Sequence, residues 1–542
     1  MLYVLIIVTI TIFSAAYLLY GRLLARSLNL NDASPTPACT VNDGVDYVPA
    51  KPSLLLGQHF SAIAAAGPIV GPILACLWFG WLPAVLWIIL GAIFVGGTHD
   101  FLSLVVSIRH KAVSIGEIVK EYMPAPSRNL FLIFVWLTLL YVIIAFCDIT
   151  AQTFKSVIEN SQLGSAVAAS SFMYLITAII MGILLYKFKL KLGLATAIFV
   201  PVTLFIVWLG PQLPEGMLGA ISGISIKQWH IILLLYCLVA SIIPMWLLLQ
   251  PRGYLGGWFL YLVIGAGLIG AIFGGFKIEY PALNLEGMRS AINQKALFPI
   301  LFITIACGAC SGFHGIVGSG TTSKQIKKET DSLSVGYGAM LLEGLVAILA
   351  ISCVIILPKG SAILSGDPNL IYAHGIAKYL GLIKINYSIA LPFALLAFST
   401  FVYDTLDVCT RLARYILQEL TGWRSRWGGL TASLISLLIP LVFLLFAKEK
   451  AYLVAWPIFG TSNQLLASLI LLVLSLWLIK NKKNPVFTIV PMVFMLCMTV
   501  WSLISLIFPF VSMVSSISGA VLLILSFILI YKAITALLPA HK

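Results

Sequence analysis

The sequence predicts an all-α protein, a polytopic bundle of membrane-spanning helices, from three observations. Of its 542 residues, 61% are hydrophobic and only 10% are charged, whereas soluble domains carry about 25% charged residues. Apolar stretches long enough to cross a bilayer, which takes about 20 residues, recur from one end of the chain to the other. The segments between them are short. We therefore interpret residues 1–542 as a single transmembrane domain.

Fifteen apolar stretches are predicted as membrane spans, separated by charged residues, Pro or Gly. In chain order they are 2–20, 55–78, 82–107, 129–154, 166–186, 194–210, 229–249, 254–276, 297–320, 334–357, 388–410, 429–447, 451–478, 486–508 and 512–537. The first has no basic leader and no convincing cleavage site, so we interpret it as a retained helix. The connection 22–54 contains Asn, Asp and Pro residues and is predicted to be irregular.

The basic residues predict which side of the membrane each connection faces. The net charge of +14 could indicate nucleic-acid binding, but Lys and Arg are concentrated in short connections, where they determine orientation. With the N-terminus outside, 23 of the 33 basic residues lie on the inner side. We therefore predict an external N-terminus, a cytoplasmic C-terminus and no nucleic-acid partner.

The second predicted span contains two Gly-Pro pairs, which an ordinary helix would not. Each Pro removes a backbone donor and each Gly loosens the helix, so carbonyl groups become free at membrane depth. Transporters use such breaks to present helix ends to a substrate and a coupling ion. Close packing of small residues is the alternative interpretation. The predicted binding residues of this segment are His59, Ser61, Gly67, Pro68, Gly71 and Pro72.

A second interrupted span, residues 307–325, is rich in Gly, Ser and Thr. Its predicted binding residues are Ser311, Gly312, His314, Ser319 and Thr321. The Cys307–Cys310 pair has the spacing of a metal or redox motif, but no second ligand pair follows, and thiols in an apolar helix pack as small hydrophobes. We therefore expect no metal and no cofactor.

Five acidic residues are predicted inside spans: Asp100, Asp148, Glu343, Asp404 and Asp407. A charge at the bilayer centre costs at least about 2.5–3.5 kcal/mol, so each needs a partner or a wet cavity. Glu343 lies nine residues into its span and is the best candidate for a carboxyl that gains and loses a proton. The alternative is a permanently neutral, hydrogen-bonded side chain.

One stretch of the eleventh span places Asp404, Asp407 and Arg411 on the same helical face. Asp407 and Arg411 can pair there, either as a structural ion pair or as a moving gate. Asp100, next to His99, could meet this cluster. The residues predicted to couple protons or to gate transport are Asp100, Glu343, Asp404, Asp407 and Arg411.

The chain resembles the carbon starvation protein A family of bacterial inner-membrane proteins. The matching segments, in the family's order, are GQHFSAIAAAGPIVGPILA, THDFLSLVVSIRHKAVSIGEIV, CGACSGFHGIVGSGTTSKQI, YDTLDVCTRLARYI and WPIFGTSNQLLA. They extend from residue 57 to residue 467, with the family core at about 55–480 and further C-terminal helices at 486–537. Gln58 departs from the Gly-His-His-Phe that members usually have, which puts a proton-handling role of that position in doubt.

The resemblance implies an inverted-repeat core similar to that of the amino-acid/polyamine/organocation transporters. It also implies proton-coupled uptake of small organic nutrients during carbon starvation, peptides in some members and pyruvate in others. The last matching segment carries Ser462, Asn463 and Gln464. Such residues could serve as interhelical hydrogen-bonding contacts, and the resemblance adds a cavity-lining role.

The resulting hypothesis is a proton-coupled symporter whose broken helices at 67–72 and 308–320 frame a midplane site. Its expected partners are a peptide or pyruvate, the coupling proton and membrane lipids, with protein partners unknown. Walker-type phosphate loops are absent from the sequence, which argues against ATP-driven pumping by this chain. The alternatives are a passive channel, a starvation sensor that transports nothing, and an intramembrane enzyme using Ser311 and His314.

Overall fold

The helices of the protein follow one another along the chain with mostly short connections, and the segment 29–51 is a longer one. A computed structural model describes residues 2–124, 126–156, 163–285, 296–447, 451–508 and 513–537, in which the regular secondary structure is entirely helical. The helices are α1 Leu2–Leu28, α2 Pro37–Val41, α3 Pro52–Ile63, α4 Gly67–Phe79, α5 Trp81–Arg109, α6 Ile115–Tyr122, α7 Pro126–Phe154, α8 Leu163–Tyr186, α9 Leu192–Leu209, α10 Glu215–Gly223, α11 Ile226–Ile242, α12 Leu249–Phe273, α13 Leu297–Thr304, α14 Gly312–Val317, α15 Leu333–Ile355, α16 Pro368–Gly381, α17 Tyr387–Thr421, α18 Arg426–Phe446, α19 Tyr452–Lys480, α20 Val486–Ile507 and α21 Met513–Leu537. These elements confirm the predicted all-α membrane bundle.

The number of helices that can cross a bilayer is close to the predicted number of spans. In the described part of the chain, twelve helices are long and apolar enough, and two bent pairs bring the number to fourteen. The bent pairs are α3 with α4, at 43°, and α10 with α11, at 92°. The predicted span 297–320 is divided into α13 and α14, with irregular backbone between them. The count of fifteen spans and the inverted repeat stay predictions.

The connections gather on two faces of the bundle. On the first, which we call the basic face, the segments 29–51, 110–114, 187–191, 323–332 and 481–485 meet. There Arg109 Nε lies 2.6 Å from Glu329 Oε1, and the Asn31 amide donates to Glu329 Oε2 at 2.6 Å. On the second, the opposite face, Lys155 Nζ donates to the Ser222 carbonyl at 2.6 Å. Alternate connections thus lie on alternate faces, as a polytopic chain requires.

The two broken helices contact each other at their breaks. α3 ends at Ile63 and α4 begins at Gly67, while α13 ends at Thr304 and α14 begins at Gly312. A Cβ atom added at Gly67 would lie 2.3 Å from Cys307 Sγ, and one added at Gly71 would lie 2.2 Å from the Thr304 carbonyl oxygen. These two glycines therefore allow the chain segments to approach closely, which is the packing role considered above.

Replacing Gly71 with Ala is expected to destabilise the protein by about 1–3 kcal/mol or more, because the new methyl group would overlap backbone that cannot yield easily. The matched control is Gly265→Ala in α12, where a Cβ meets nothing within 4 Å. There Ala should be neutral or stabilise by about 0.5–1 kcal/mol, since Gly is costly inside a helix. Thermal unfolding of both purified variants measures the difference, and equal midpoints would contradict the packing assignment.

Candidate functional site

A buried cluster of two histidines and two carboxylates lies where α5, α14 and α15 meet. His99 Nδ1 donates to Asp100 Oδ1 at 2.7 Å, and His314 Nδ1 donates to Asp100 Oδ2 at 2.9 Å. The second ring nitrogen of His314, Nε2, lies 3.2 Å from Glu343 Oε2. These four residues are at most 2% exposed. His314 thus bridges two carboxylates that come from different helices.

The charge of Glu343 depends on His314. Neither Glu343 carboxylate oxygen has a hydrogen-bond partner among the described residues, and the side chain is fully buried. An ionised carboxylate in such surroundings is stable only beside a compensating charge. Glu343 must therefore face a protonated His314 or carry a proton itself. The cluster can hold protons at the carboxyl and at the imidazole, and the two sites are in contact.

His59 lies next to the end of α3 and contacts the helical turn Gly318–Thr322, which follows α14 directly. Its Nδ1 atom lies 2.8 Å from Thr322 Oγ1, and its Nε2 atom has no partner among the described residues. Nearby, the potential ligand atoms of Cys307, His314 and Glu343 lie within 4.8 Å of one another, a grouping that can hold a metal ion. Both His314 nitrogens already contact carboxylates, so we assign this group to ion pairing. The expectation of no metal stays a prediction.

A second buried cluster surrounds Arg252, at the start of α12. Its Nε lies 3.2 Å from Asp404 Oδ1, and its Nη1 contacts both Asp407 Oδ2 and the Tyr236 hydroxyl. Ser61, near the end of α3, donates its hydroxyl to Asp404 Oδ2. The predicted pairing of Asp407 with Arg411 is therefore wrong. Arg252 reaches between Asp404 and Asp407 from another helix.

Arg411 is turned toward the connection that precedes α3. Its Nη1 lies 3.1 Å from Asp46 Oδ1, and its Nη2 donates to the Ala240 carbonyl at 2.9 Å. Arg414 Nη2 is 3.5 Å from the same Asp46 oxygen. Burial raises the pKa of Asp46, but Arg411, Arg414 and Lys324 together outweigh it, and the net pKa is lowered.

The proposed meeting of Asp100 with the Asp404–Asp407 cluster is also wrong. Asp100 is occupied by His99 and His314, because α5 packs beside α14. On helix α3, His59 is directed toward Thr322, on the segment that follows α14, and Ser61 toward Asp404 of the second cluster. Residues two apart on a helix point in widely different directions, which explains this division.

The polar residues of α19 connect the broken helix to its neighbours. Asn463 Oδ1 accepts the Phe313 backbone N–H at 2.8 Å, and Asn463 Nδ2 donates to Ser311 Oγ at 2.9 Å. Gln464 Nε2 donates to the Phe302 carbonyl at 3.2 Å. These are interhelical contacts of the kind considered for this pair. Ser311 is bonded to Asn463, and no hydrogen bond in the described chain joins its hydroxyl to His314.

The remaining predicted binding residues have local partners. Thr321 and Ser462 donate to carbonyls of their own helical turns, at 3.0 and 3.1 Å. Ser319 Oγ accepts the Ile115 amide at 3.3 Å. A Cβ atom at Gly312 would lie 2.4 Å from the Ala467 nitrogen. Their predicted contact with substrate stays a prediction.

Two cavities approach this core. One, of about 390 Å³, opens between α7, α16 and α19 on the opposite face and reaches Val70, in the first turn of α4. Lys155, Gln152 and Asp367 line it. The other, of about 380 Å³, has mostly apolar and aromatic walls and reaches Arg252. None of the predicted binding residues lines either cavity.

Sequence reasoning missed several partners. The predicted spans 229–249 and 254–276 leave Arg252 in the connection between them, whereas α12 begins at Leu249 and buries this residue. His230 Nε2 contacts Asp148 Oδ1 at 3.0 Å, and the Tyr452 amide donates to Asp148 Oδ2 at 2.9 Å. A span predicted to begin five residues earlier would have placed Arg252 inside the bundle. No sequence signal identified His230 as a partner.

Gln58, the position that departs from the family pattern, belongs to a chain of amides. Gln325 Nε2 donates to Gln58 Oε1 at 3.2 Å, and Gln250 Nε2 donates to Gln325 Oε1 at 2.7 Å. Amide groups do not titrate in the physiological range. Gln58 therefore forms a hydrogen bond but cannot take up or release a coupling proton.

Comparison with known proteins gives consistent matches along the chain. A family profile described as carbon starvation protein CstA matches residues 1–371 and 360–502. The peptide transporter CstA of Campylobacter jejuni is 31% identical, over 93% of this chain and 80% of its own length. The pyruvate/proton symporter BtsT of Escherichia coli is 30% identical, over 92% and 80%. A solved manganese transporter of Eremococcus coleocola covers 92% of this chain and 98% of its own at 12% identity, with a TM-score of 0.45.

Replacing Asp46 with Asn is expected to destabilise the protein at pH 7 by about 2 kcal/mol, because charge-assisted hydrogen bonds contribute about 1.5–3 kcal/mol. The lowered pKa means that this contribution is fully present above the unfolded value of about 4 and is lost as the pH falls through the folded pKa. Thermal unfolding from pH 7 to pH 3 should show the two proteins converging. Glu279→Gln, at an exposed position on the opposite face, is the control.

Proposed function

The chain belongs to the CstA carbon starvation protein family, and from this premise we propose a proton-coupled transporter that imports small organic nutrients, peptides or pyruvate, across the bacterial inner membrane. The observation that carries the proposal is the bridging of Asp100 and Glu343 by His314. These groups lie beside the two broken helices, within a bundle of membrane-spanning length. A proton gained or lost there changes the charge that the surrounding helices must compensate.

The coupling proton binds in the His314–Glu343 pair. With His314 protonated and both carboxylates ionised, the group of Asp100, His314 and Glu343 carries one net negative charge. A proton added to Glu343 makes the group neutral and removes the attraction that holds α15 against α14. Separating a pair of opposite charges in a low-dielectric interior is costly. The helices α14 and α15 therefore separate more readily when Glu343 is protonated and neutral. Protonation is thereby linked to movement of a broken helix.

The substrate enters through the cavity on the opposite face. One of its lining residues, Val70, belongs to the first turn of α4, and a helix N-terminus favours an anionic group such as a carboxylate. Pro72 also leaves the Pro68 carbonyl without a helical donor. At the start of α14, Asn463 already accepts the Phe313 amide, so that helix end is partly occupied. The other predicted binding residues surround these breaks.

The cavity favours a short peptide over pyruvate. Lys155 and Asp367 line it with opposite charges, which suits a zwitterion. Its volume of about 390 Å³ corresponds to roughly thirteen water molecules, more than a molecule of the size of pyruvate requires. Pyruvate would need only the anion-binding part of this site.

The basic face lies in the cytoplasm in this proposal, with the N-terminus outside and the C-terminus inside. The concentration of Lys and Arg on the connections of that face supports this orientation. The opposite-face cavity then opens outward, as an importer requires. Apolar side chains exposed along α1, α9, α18 and α20 provide the surface for lipid.

The hydrogen bonds and ion pairs of the buried core favour transport over an intramembrane enzyme, a sensor or a passive channel. The Ser311 hydroxyl is bonded to Asn463, so a Ser311–His314 nucleophile–base pair is not formed. A sensor would bind the nutrient without moving it. A passive channel would conduct the nutrient without accumulating it. Neither a sensor nor a channel explains a titratable group that bridges two helices.

Replacing Glu343 with Gln is expected to abolish uphill uptake while exchange of internal for external substrate continues, because the amide cannot carry the proton. The matched control is Glu215→Gln, at an exposed position in α10, which should accumulate substrate normally. Uptake and counterflow in proteoliposomes measure the two activities. Undiminished uphill uptake by the Glu343 variant would remove this residue from the coupling mechanism.

The function itself is tested by radiolabelled uptake into proteoliposomes, with pyruvate and a dipeptide compared under an inward proton gradient. We expect dipeptide accumulation that a protonophore abolishes. Accumulation of pyruvate alone would overturn the peptide preference. Failure to accumulate either, with correct insertion demonstrated, would contradict the proposed transport function.

A further inference from the structure

The end of the broken helix α3 forms a strongly negative region inside the bundle. The carbonyls at the C-terminal end of a helix carry partial negative charge. Asp404, which accepts the Ser61 hydroxyl of this helix, and Asp407, which shares Arg252 with it, add two carboxylates that are 4% and 2% exposed. Ser61 and Thr405 contribute hydroxyl groups, the latter donating to the Ala62 carbonyl at 2.8 Å.

These groups have the chemistry of an alkali-cation site. Hard cations bind carboxylate, carbonyl and hydroxyl oxygens, and transporters place sodium at the C-terminal ends of half-helices. Here, a side chain of the protein supplies the positive charge. Among the described residues, Arg252 is the one basic side chain in a salt bridge with Asp404 or Asp407.

Arg252 is held firmly in this position. Its side chain is 3% exposed, and its guanidinium carbon lies 5.5 Å and 5.1 Å from the ring centroids of Tyr236 and Tyr403. The glycines of α12 bring its backbone against α3: a Cβ at Gly256 would lie 2.4 Å from Ser61 Oγ. The guanidinium therefore has little freedom to leave the carboxylates.

We infer that Arg252 is a fixed internal cation that occupies the place of an exchangeable sodium ion at the end of α3. Transport therefore requires no sodium, and the exchangeable charge is the proton at the His314–Glu343 pair. This inference rests on the proposed transport function, since it specifies the coupling ion. Arg252 acts here as a positioning residue that stabilises the helix end.

Removing the guanidinium should create a sodium site. Two buried carboxylates without a counter-charge are costly, so they will take up another cation. We would measure binding of ²²Na⁺ to the purified full-length protein at pH 8.5, without any transport substrate. We expect background binding for the unmodified protein and for Arg252→Lys, and about one sodium ion per chain for Arg252→Met. Adding Asp404→Asn and Asp407→Asn to Arg252→Met should abolish that binding.

Two results would overturn the inference. One is sodium binding by the unmodified protein that Asp404→Asn abolishes. The other is a folded, monodisperse Arg252→Met variant that binds no sodium. If that variant does not fold, uptake by the unmodified protein decides: replacing sodium with choline should change it less than about twofold, and a greater loss would refute the inference. Because sodium binding needs no substrate, failure of peptide or pyruvate uptake would contradict the proposed function separately.

Discussion

The rest of the structure depends on the cost of burying charge in a membrane. The five acidic residues inside the bundle contact basic or imidazole groups that come from other helices. A buried ion pair adds little net stability over apolar packing, but removing one partner is strongly destabilising. The pairs therefore determine which helices must stay together. α14 and α15 are joined through His314 and Glu343, and α12 and α17 through Arg252 and its two aspartates.

Close packing around glycine complements these ion pairs. The glycines of α4 allow the first break to touch the second, and those of α12 allow that helix to lie on α3. The first arrangement brings helix ends together, and the second brings Arg252 within reach of Asp404. Small residues thus make possible the ionic contacts that a bulkier sequence would prevent. The same glycines leave little room for either break to move without disturbing its neighbour.

Much of this arrangement could be predicted from the sequence, because an acidic residue or a Gly-Pro pair stands out in an apolar stretch. The helical membrane fold, the presence of a break in the second span and the burial of Glu343 follow from such local signals. The break itself lies at 64–66, before the Gly-Pro pairs at 67–72 where it was predicted, and Pro72 lies inside a continuous α4. Partners could not be predicted, since they depend on how distant segments pack. Asp407 and Arg411 share a helical face, yet Arg252 and Asp46 reach them from other parts of the chain. No sequence signal in the irregular connection that contains Asp46 predicts its contact with Arg411 and Arg414 of α17.

The contact between Gly67 and Cys307 has a practical consequence. Cys307 is a buried free thiol at the junction of the two breaks, with no room for even a methyl group on the facing glycine. A thiol reagent can reach its sulfur only when the breaks separate. With the other eight cysteines replaced, the alkylation rate of Cys307 would report how often the junction opens and whether substrate or pH changes that rate.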